Sequence, residues 1–431
     1  MNAVFTIVAK NYLSLARTLG DSLKTLHPDL DFYIVIADAN DGYISIENEK
    51  YKILEADKLG VPNLKDLAFK YNVTEYCTAI KPFVFSHLFG QGYNKLIYFD
   101  PDIYVFNKID HIFEILDNNF IVLTPHFITP ELNYSGTVPE GGILFLGMFN
   151  LGFVAIKNSD EGRYIASWWE HRLIDKCYAD KIDGFHTDQK WMDFIPVLFE
   201  KGVHISRNLG HNMAFWNIHE RAVVRINQTY NVTHKLDSKK EDNPLVFFHF
   251  AGFDPNNLTY VHKYHPAFTL EDFPDLKPLM NLYRNSVLAN GFEETIKWPY
   301  TFAHFDNGKK INNFQRRLYR SLTEEGLKFT DPFSTSHDSF FNLLKKSDLI
   351  TSGNTNIDRL NDRNIAGFDR KRKILNRMMK TLKLTLGFEK YVLLMKFAMR
   401  YVRPENQTFL IKGLHKEIGF KHEGMLKKNQ K

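Results

Sequence analysis

Cysteine is nearly absent: Cys77 and Cys177 are the only two in 431 residues. That excludes a disulfide framework and is expected of a chain in a reducing compartment. No apolar run approaches the ~20 residues of a transmembrane helix. Nothing like a signal peptide precedes the strand-like run that starts at Ala3. The chain is therefore expected to be cytoplasmic, with its sequons at Asn72, Asn133, Asn227, Asn231, Asn257 and Asn406 unused. Charge of one sign is also scarce. A net +5 is too small to imply a nucleic-acid partner. No glycine-rich fingerprint follows the first strand, so a dinucleotide-binding domain is disfavoured, and there is no internal repeat.

Aromatic residues are abundant, with 37 Phe and 20 Tyr, which suits both cores and sugar-stacking surfaces. At 44% hydrophobic and 24% charged the composition is that of a globular chain, long enough for two or three domains. Residues 3–9 and 32–37 read as strands, with a helix between them ended by Pro28, which implies a right-handed parallel crossover. A short strand near Ile53, a helix over 64–71 and a helix capped by Thr74 follow. Lys81-Pro82 interrupts that helix before the apolar run 83–89.

The chain is organised around Lys95–Phe106. An apolar run stops at Asp100-Pro101-Asp102, where proline cannot serve a central ladder. Ligands of open α/β sheets bind at the ends of such strands. Two carboxylates one residue apart suit a hard divalent cation that keeps several waters and binds a diphosphate. The same residues also suit an ordinary strand-end turn.

Further along, a short helix over 109–116 and a strand over 121–123 precede a long non-periodic loop, 126–140. Met148–Ile156 reads as a strand entered through Asn150 and Gly152. Ser159 caps a helix running to about Lys176. Asp188-Gln189 opens another helix, for which Asp188 is an ordinary N-cap. Residues 208–221 are dense in polar and aromatic groups, among them Asn212, Trp216, Asn217, His219 and Arg221. His249 ends the strand 245–250, as a core histidine or as a ligand. From about Lys328 the texture turns polar and linker-like, through Ser334, Ser336 and 354–356. Two basic amphipathic helices then follow, over about 370–386 and 390–402.

Six pieces in order resemble one family, the GT-A glycosyltransferases, especially the retaining family of bacterial lipopolysaccharide galactosyl- and glucosyltransferases and glycogenin. They are Asn11-Tyr12, Lys81, Tyr98–Asp102, Phe149–Gly152, Asp188-Gln189 and His249–Gly252, and they span residues 1 to about 255. The resemblance implies an α/β GT-A fold, a Rossmann-like mixed sheet flanked by helices. Here it would comprise a catalytic domain over 1–265, a helical continuation over 266–330 and a C-terminal linker and helical region over 331–431. It implies Mn2+ or Mg2+ held by Asp100, Asp102 and His249, and a nucleotide-sugar donor, usually of uridine diphosphate. Ala9, Asn11, Tyr12 and Lys81 would serve the nucleotide. Asp188 and Gln189 would be catalytic. Asn150, Gly152, Trp216, Asn217, Gly252 and Lys263 would surround the donor sugar and acceptor.

The family usually carries an acidic residue where Lys10 stands and a lysine where Asp254-Pro255 stands. Lys263, or His262 and His265, are the substitutes at hand. The implied function is hexosyl transfer with retention, from a uridine diphosphate sugar to a saccharide or lipid-linked acceptor in cell-surface polysaccharide (lipopolysaccharide) synthesis. The basic helices either meet an anionic membrane at its inner face or pack on the catalytic domain. Two rivals are a haloacid-dehalogenase-like phosphohydrolase and a non-catalytic sugar-binding module. The first expects Thr or Val where Tyr104 stands.

Overall fold

The computed structural model of the protein describes residues 1–227, 229–351, 357–360 and 364–414. The apolar run after Met1 forms β1 (Asn2–Val8), buried from Ala3 onward. It leads through a 3-10 turn at Lys10–Tyr12 into α1 (Leu13–Leu26). Burial of α1 follows its apolar positions Leu15, Ala16, Leu19 and Leu23, and the helix stops before Pro28. β2 (Asp31–Ile36) and β3 (Lys52–Glu55) add in parallel on one side of β1. On the other side lies β4 (Lys95–Phe99), also parallel, reached through α2 (Lys81–Gly90). Pro82 sits in the first turn of α2, where its missing N–H costs nothing.

β6 (Ile121–Pro125), β7 (Phe149–Lys157) and β8 (Val203–Ile205) complete a seven-stranded sheet of order β8-β6-β7-β4-β1-β2-β3. β7 alone runs antiparallel to its neighbours. Its first residues therefore stand beside the carboxyl ends of β4 and β6, so Asn150 and Gly152 share an edge with Asp100. β5 (Ile103–Val105), β9 (Met213–Ala214) and β10 (Phe247–His249) form a small sheet in which His249 pairs with both Ile103 and Ala214. α3 (Asp160–Lys176) begins as expected at Ser159, whose hydroxyl accepts from the Gly162 N–H at 3.2 Å, and it packs on α2. This mixed, helix-flanked α/β sheet is the architecture that the resemblance implies.

One reading needs correction, and two elements are absent from those read in the sequence. Thr74 does not cap: the helix begins at Val73, and the Thr74 carbonyl accepts from the Thr78 hydroxyl. The long loop ends in an unforeseen helix, Glu140–Leu146. Arg221–Ile226 and Thr229–His234 form an antiparallel pair, with Asn227 at φ 57° starting the turn.

The chain makes two compact units, Met1–Pro62 with Val73–Thr301, and Asn63–Asn72 with the residues from Phe302 onward. In the second unit Phe69, Phe305, Leu318, Tyr319, Phe340 and Leu344 form the core. α4 (Asn313–Glu324) opens with a reciprocal box between Asn312 and Gln315. Arg316 of α4 donates to the carbonyls of Ala68, Phe69 and Tyr71. The stretch read as a linker includes the helix Phe340–Lys346, because Phe340, Phe341 and Leu344 share one face and bury it. Residues 354–356 lie outside the described residues. The two basic helices are present as α5 (Phe368–Leu386) and α6 (Phe388–Tyr401), joined at Gly387. No helix among the described residues is long and apolar enough to cross a membrane.

Candidate active site

The end of β4 fixes Asp100. Its N–H donates to the Gly152 carbonyl at 2.7 Å, and its carboxylate accepts from the buried Tyr98 hydroxyl. Two residues on, the Asp102 carbonyl accepts from Phe250 N–H at 2.8 Å, which draws the end of β10 alongside. His249 Nε2 then lies 3.0 Å from Asp102 Oδ1 and 3.7 Å from Asp100 Oδ2. The ligand atoms of all three fall within 4.8 Å of one another. Two carboxylate oxygens and an imidazole nitrogen form a donor set that suits Mn2+ or Mg2+. The His249 ring is buried and its Nδ1 has no hydrogen-bond partner among the described residues.

Burial pushes both carboxyls upward in pKa. At Asp102 the charge and hydrogen bond of His249 overcome it and hold the group below the ordinary carboxylate value. At Asp100 burial prevails over Lys81 and His249, and the group is raised. Burial would lower His249, but the carboxylates outweigh it and its pKa is raised. Such opposed shifts mark a charged cluster assembled at a cost in desolvation, as functional sites are.

Gly152 makes the cluster possible. A Cβ there would stand 2.3 Å from His249 Cε1 and 2.9 Å from Asn150 Oδ1. Beside it runs a chain of side-chain amides. Gln189 accepts from Leu151 N–H at 3.0 Å and donates to the Leu146 carbonyl at 2.9 Å. Its Oε1 also lies 3.5 Å from Asn150 Nδ2. Asn150 Oδ1 accepts from Gly152 N–H and from Asn212 Nδ2, each at 3.1 Å. Asn212 donates as well to the Thr124 hydroxyl at 2.8 Å. Asn217 locks this loop by donating to the Asn212 carbonyl and accepting from Ala214 N–H.

Asp188 does not use its carboxylate as a helix cap. Oδ2 accepts from Lys81 Nζ at 2.5 Å, and Oδ1 accepts from the Thr187 hydroxyl at 3.2 Å. Lys81 is itself buried. It donates to the Leu151 carbonyl at 2.8 Å and lies 4.0 Å from the Tyr98 ring centre. Lys81 thus joins Asp188, β7 and the Tyr98–Asp100 strand end.

Trp216 packs edge-on against His249 at 5.0 Å between ring centres and against His126 at 5.5 Å. Gly252 has φ 66°, and a Cβ there would meet the His262 ring at 2.4 Å. Lys263 follows, exposed, and its charge helps to hold Asp102 low. His262 is pushed down to about 4 by burial, with His265 and Lys263 adding to the effect, so it is neutral near pH 7.

Just past the end of β1, Tyr12 N–H donates to the Ala9 carbonyl at 2.8 Å, and the Tyr12 ring is exposed beside Asn11. Burial, with the charges of Asp38 and Asp100 adding to it, pushes the Cys77 thiol up and keeps it protonated. Lys10 is fully buried. Its ammonium donates to Asp38 at 2.8 Å, to the Ala39 carbonyl at 2.9 Å, to Asp41 at 3.1 Å and to Thr301 at 2.6 Å. The structure thus gathers Asp100, Asp102, His249, Asn150, Gly152, Asp188, Gln189 and Trp216. Sequence reasoning gave Asn212 and Thr124 no role.

No family model matches the chain. Two curated relatives, both uncharacterized proteins of Bacillus subtilis (strain 168), align with it. YfnF is 23% identical over 286 residues, covering 63% of this chain and 88% of YfnF. YfnD is 27% identical over 260 residues, covering 58% and 76%. Among solved structures the chain is similar to the galactosyltransferase LgtC in complex with donor and acceptor sugar analogs, at 15% identity and a TM-score of 0.37, covering 67% of this chain and 96% of LgtC. It is also similar to the glycosyltransferase GlyE of Streptococcus pneumoniae TIGR4, at 14% identity and a TM-score of 0.38, covering 74% of each.

Proposed function

We propose that this chain is a metal-dependent, retaining glycosyltransferase that moves a hexose from a nucleotide sugar to a saccharide or lipid-linked acceptor in cell-surface polysaccharide synthesis. A uridine diphosphate sugar is the donor, and the chain works at the inner face of the membrane. One observation carries the reading: the carboxylate–imidazole trio of Asp100, Asp102 and His249 adjoins an amide chain that ends in Gln189.

The trio would hold Mn2+ or Mg2+, which when bound offsets the charge that grows on a leaving diphosphate. The residues of the chain supply the rest. Tyr12 offers an exposed ring on which a base can stack, with Ala9 and Asn11 beside it. Asn150 and Asp188 frame the donor sugar, and Lys81 fixes the orientation of Asp188. Gln189 is held at both ends of its amide, so its dipole is already oriented before charge develops. An amide is a poor nucleophile, and its role is to stabilise positive charge on the sugar as the bond to the diphosphate lengthens. The acceptor hydroxyl attacks the face the diphosphate leaves and passes its proton to the departing phosphate oxygen. Trp216, Gly252 and Lys263 line the acceptor side, and the fully buried Asn217, expected there as well, instead holds the loop behind them.

The test is a donor screen read by product mass, with and without Mn2+, on the wild type and on Asp100→Asn and Asp102→Asn. Both variants are expected to fold and to lose turnover. Wild-type activity in either would remove the metal-site reading. The anomeric coupling of the product in NMR reports the stereochemistry, and a β-product from an α-linked donor would exclude retention.

A further inference from the structure

A groove of about 520 Å3 lies behind the candidate site, at the carboxyl end of β6. That volume is within the range of small-molecule sites. Phe127, Ile128, Met148, Phe149, Pro196 and Ile205 supply its apolar walls. Beside Pro196, Val197 and Leu198 are 83% and 58% exposed, so apolar surface continues over the rim. The groove backs onto the site through the sheet. Pro125, which also lines it, pairs with Phe149. Consecutive strand residues point to opposite faces, and Asn150, next to Phe149, belongs to the amide chain of the site. His126, next to Pro125, packs on Trp216.

The polar groups of the groove decide what it can take. Thr129 and Asp193 line it too, but both are committed within the protein. The Thr129 hydroxyl bonds His234 Nε2 at 2.7 Å. Asp193 accepts from Met148 N–H and from Lys190 Nζ, each at 2.8 Å. Arg207 is the exception. It is exposed at the groove, and among the described residues no carboxylate pairs with it. Lys190 balances the charge of Asp193, which leaves Arg207 as the uncompensated charge. A saccharide needs several hydrogen-bond partners, and one guanidinium does not supply them. A free phosphate makes no use of the apolar walls. An apolar chain that ends in an anion matches both, because a guanidinium binds phosphate through paired N–H groups.

We propose that this groove binds a long apolar chain bearing a phosphate, with the chain against Phe127, Met148 and Ile205 and the phosphate on Arg207. The occupant is the lipid anchor of the acceptor. Arg207 stands in the loop 206–212, between β8 and β9, that carries Asn212 at its other end. A sugar joined to the bound phosphate is therefore held on the side of the sheet edge where the site lies. The role as anchor rests on the transferase reading; the binding itself does not.

The experiment is calorimetry on the full chain, without Mn2+, using alkyl phosphates below their micelle concentrations. Binding should tighten about tenfold for every two methylenes buried, from octyl to dodecyl phosphate. Arg207→Gln should weaken dodecyl phosphate about tenfold, as loss of a charge-assisted bond does. Ile205→Glu, which puts a carboxylate into the groove, should weaken it at least as much, with melting midpoint and donor hydrolysis unchanged. Both variants leave the basic helices untouched. Asp100→Asn should bind dodecyl phosphate as the wild type does, which separates the groove from the metal site. Absence of dodecyl phosphate binding overturns the proposal, as does equal binding by wild type and Ile205→Glu, or equal binding of inorganic phosphate. For the anchor, label from the donor sugar should enter butanol-extractable bacterial lipid, and Arg207→Gln should slow this about tenfold with donor hydrolysis unchanged. Label confined to water-soluble saccharide refutes the anchor. No donor turnover at all, with dodecyl phosphate still bound, would remove the transferase reading and the anchor with it, and would leave the groove. A wild-type dimer in light scattering that Ile205→Glu abolishes would give the groove to a second copy.

Discussion

Gly152 governs the site through the side chain it lacks. The His249 ring occupies the space a Cβ would need, with Cε1 2.3 Å from that point. Gly152→Ala should leave the sheet intact and displace the ring. A shift of about 1 Å in a positioned group costs on the order of 100-fold in rate, so donor turnover should fall by about that factor. Mn2+ affinity in calorimetry should fall with it, and unchanged affinity would show that His249 is no ligand. Asn212 stands one step away, and in the proposed transfer it would be a positioning residue. Asn212→Asp keeps its shape but turns the donor facing Asn150 and Thr124 into an acceptor. Turnover should fall with little change in Mn2+ affinity, and Asn212→Gln should not rescue it. The carboxylates, Gln189 and Gly152 were legible because each belongs to a short run of sequence beside a strand or helix end. Asn212 was not. Its partners lie 62 and 88 residues away, and its φ of 51° leaves no mark in composition.

At the scale of elements, the long sheet was readable and the short pieces were not. β1, β2, β4 and β7 are buried along nearly their whole length, so their apolar runs are unbroken. β10 lies within the strand read over 245–250, but β5 and β9 have three and two residues and exist because β10 pairs between them. A pairing so short has no periodicity to detect. The pair 221–226 and 229–234 shows β-branched residues, but its exposed polar face hid the alternation. α3 is the opposite case, with Ser159 as cap and Asp160 and Glu161 in its first turn. Ser159→Ala should cost about 1 kcal/mol in denaturant unfolding and leave turnover unchanged. Gly162→Ala should cost far more, because its Cβ would stand 1.9 Å from the Lys157 carbonyl oxygen. If both substitutions are neutral, the start of α3 is not held as described.

Over the whole molecule, histidine sets the response to acid. Burial lowers the pKa of His111, His126, His186, His211, His219 and His262 among others, and it holds His126 at about 4. A histidine lowered in the folded state binds fewer protons there than in the unfolded chain. Its stabilising contribution is complete above its ordinary value of 6.5 and is lost as pH falls through the folded value. For His126 and His262 that window runs from 6.5 down to about 4. At the buried His126, every tenfold loss of proton affinity on folding corresponds to about 1.4 kcal/mol. His249 has the opposite sign, because its pKa is raised. Its contribution is complete below 6.5 and fades only as pH rises through its folded value, so it does not offset the loss on the acid side. All five tryptophans, Trp168, Trp169, Trp191, Trp216 and Trp298, lie in the unit that carries the sheet. Fluorescence melting therefore reports that unit and not the helical one. Its midpoint should fall steadily between pH 6.5 and 5, before the lowered carboxylates such as Asp102 begin to protonate. His126→Gln, which cannot titrate, should flatten that slope. A midpoint that stays level or rises as pH drops to 5 would mean that these rings enter the folded state already protonated.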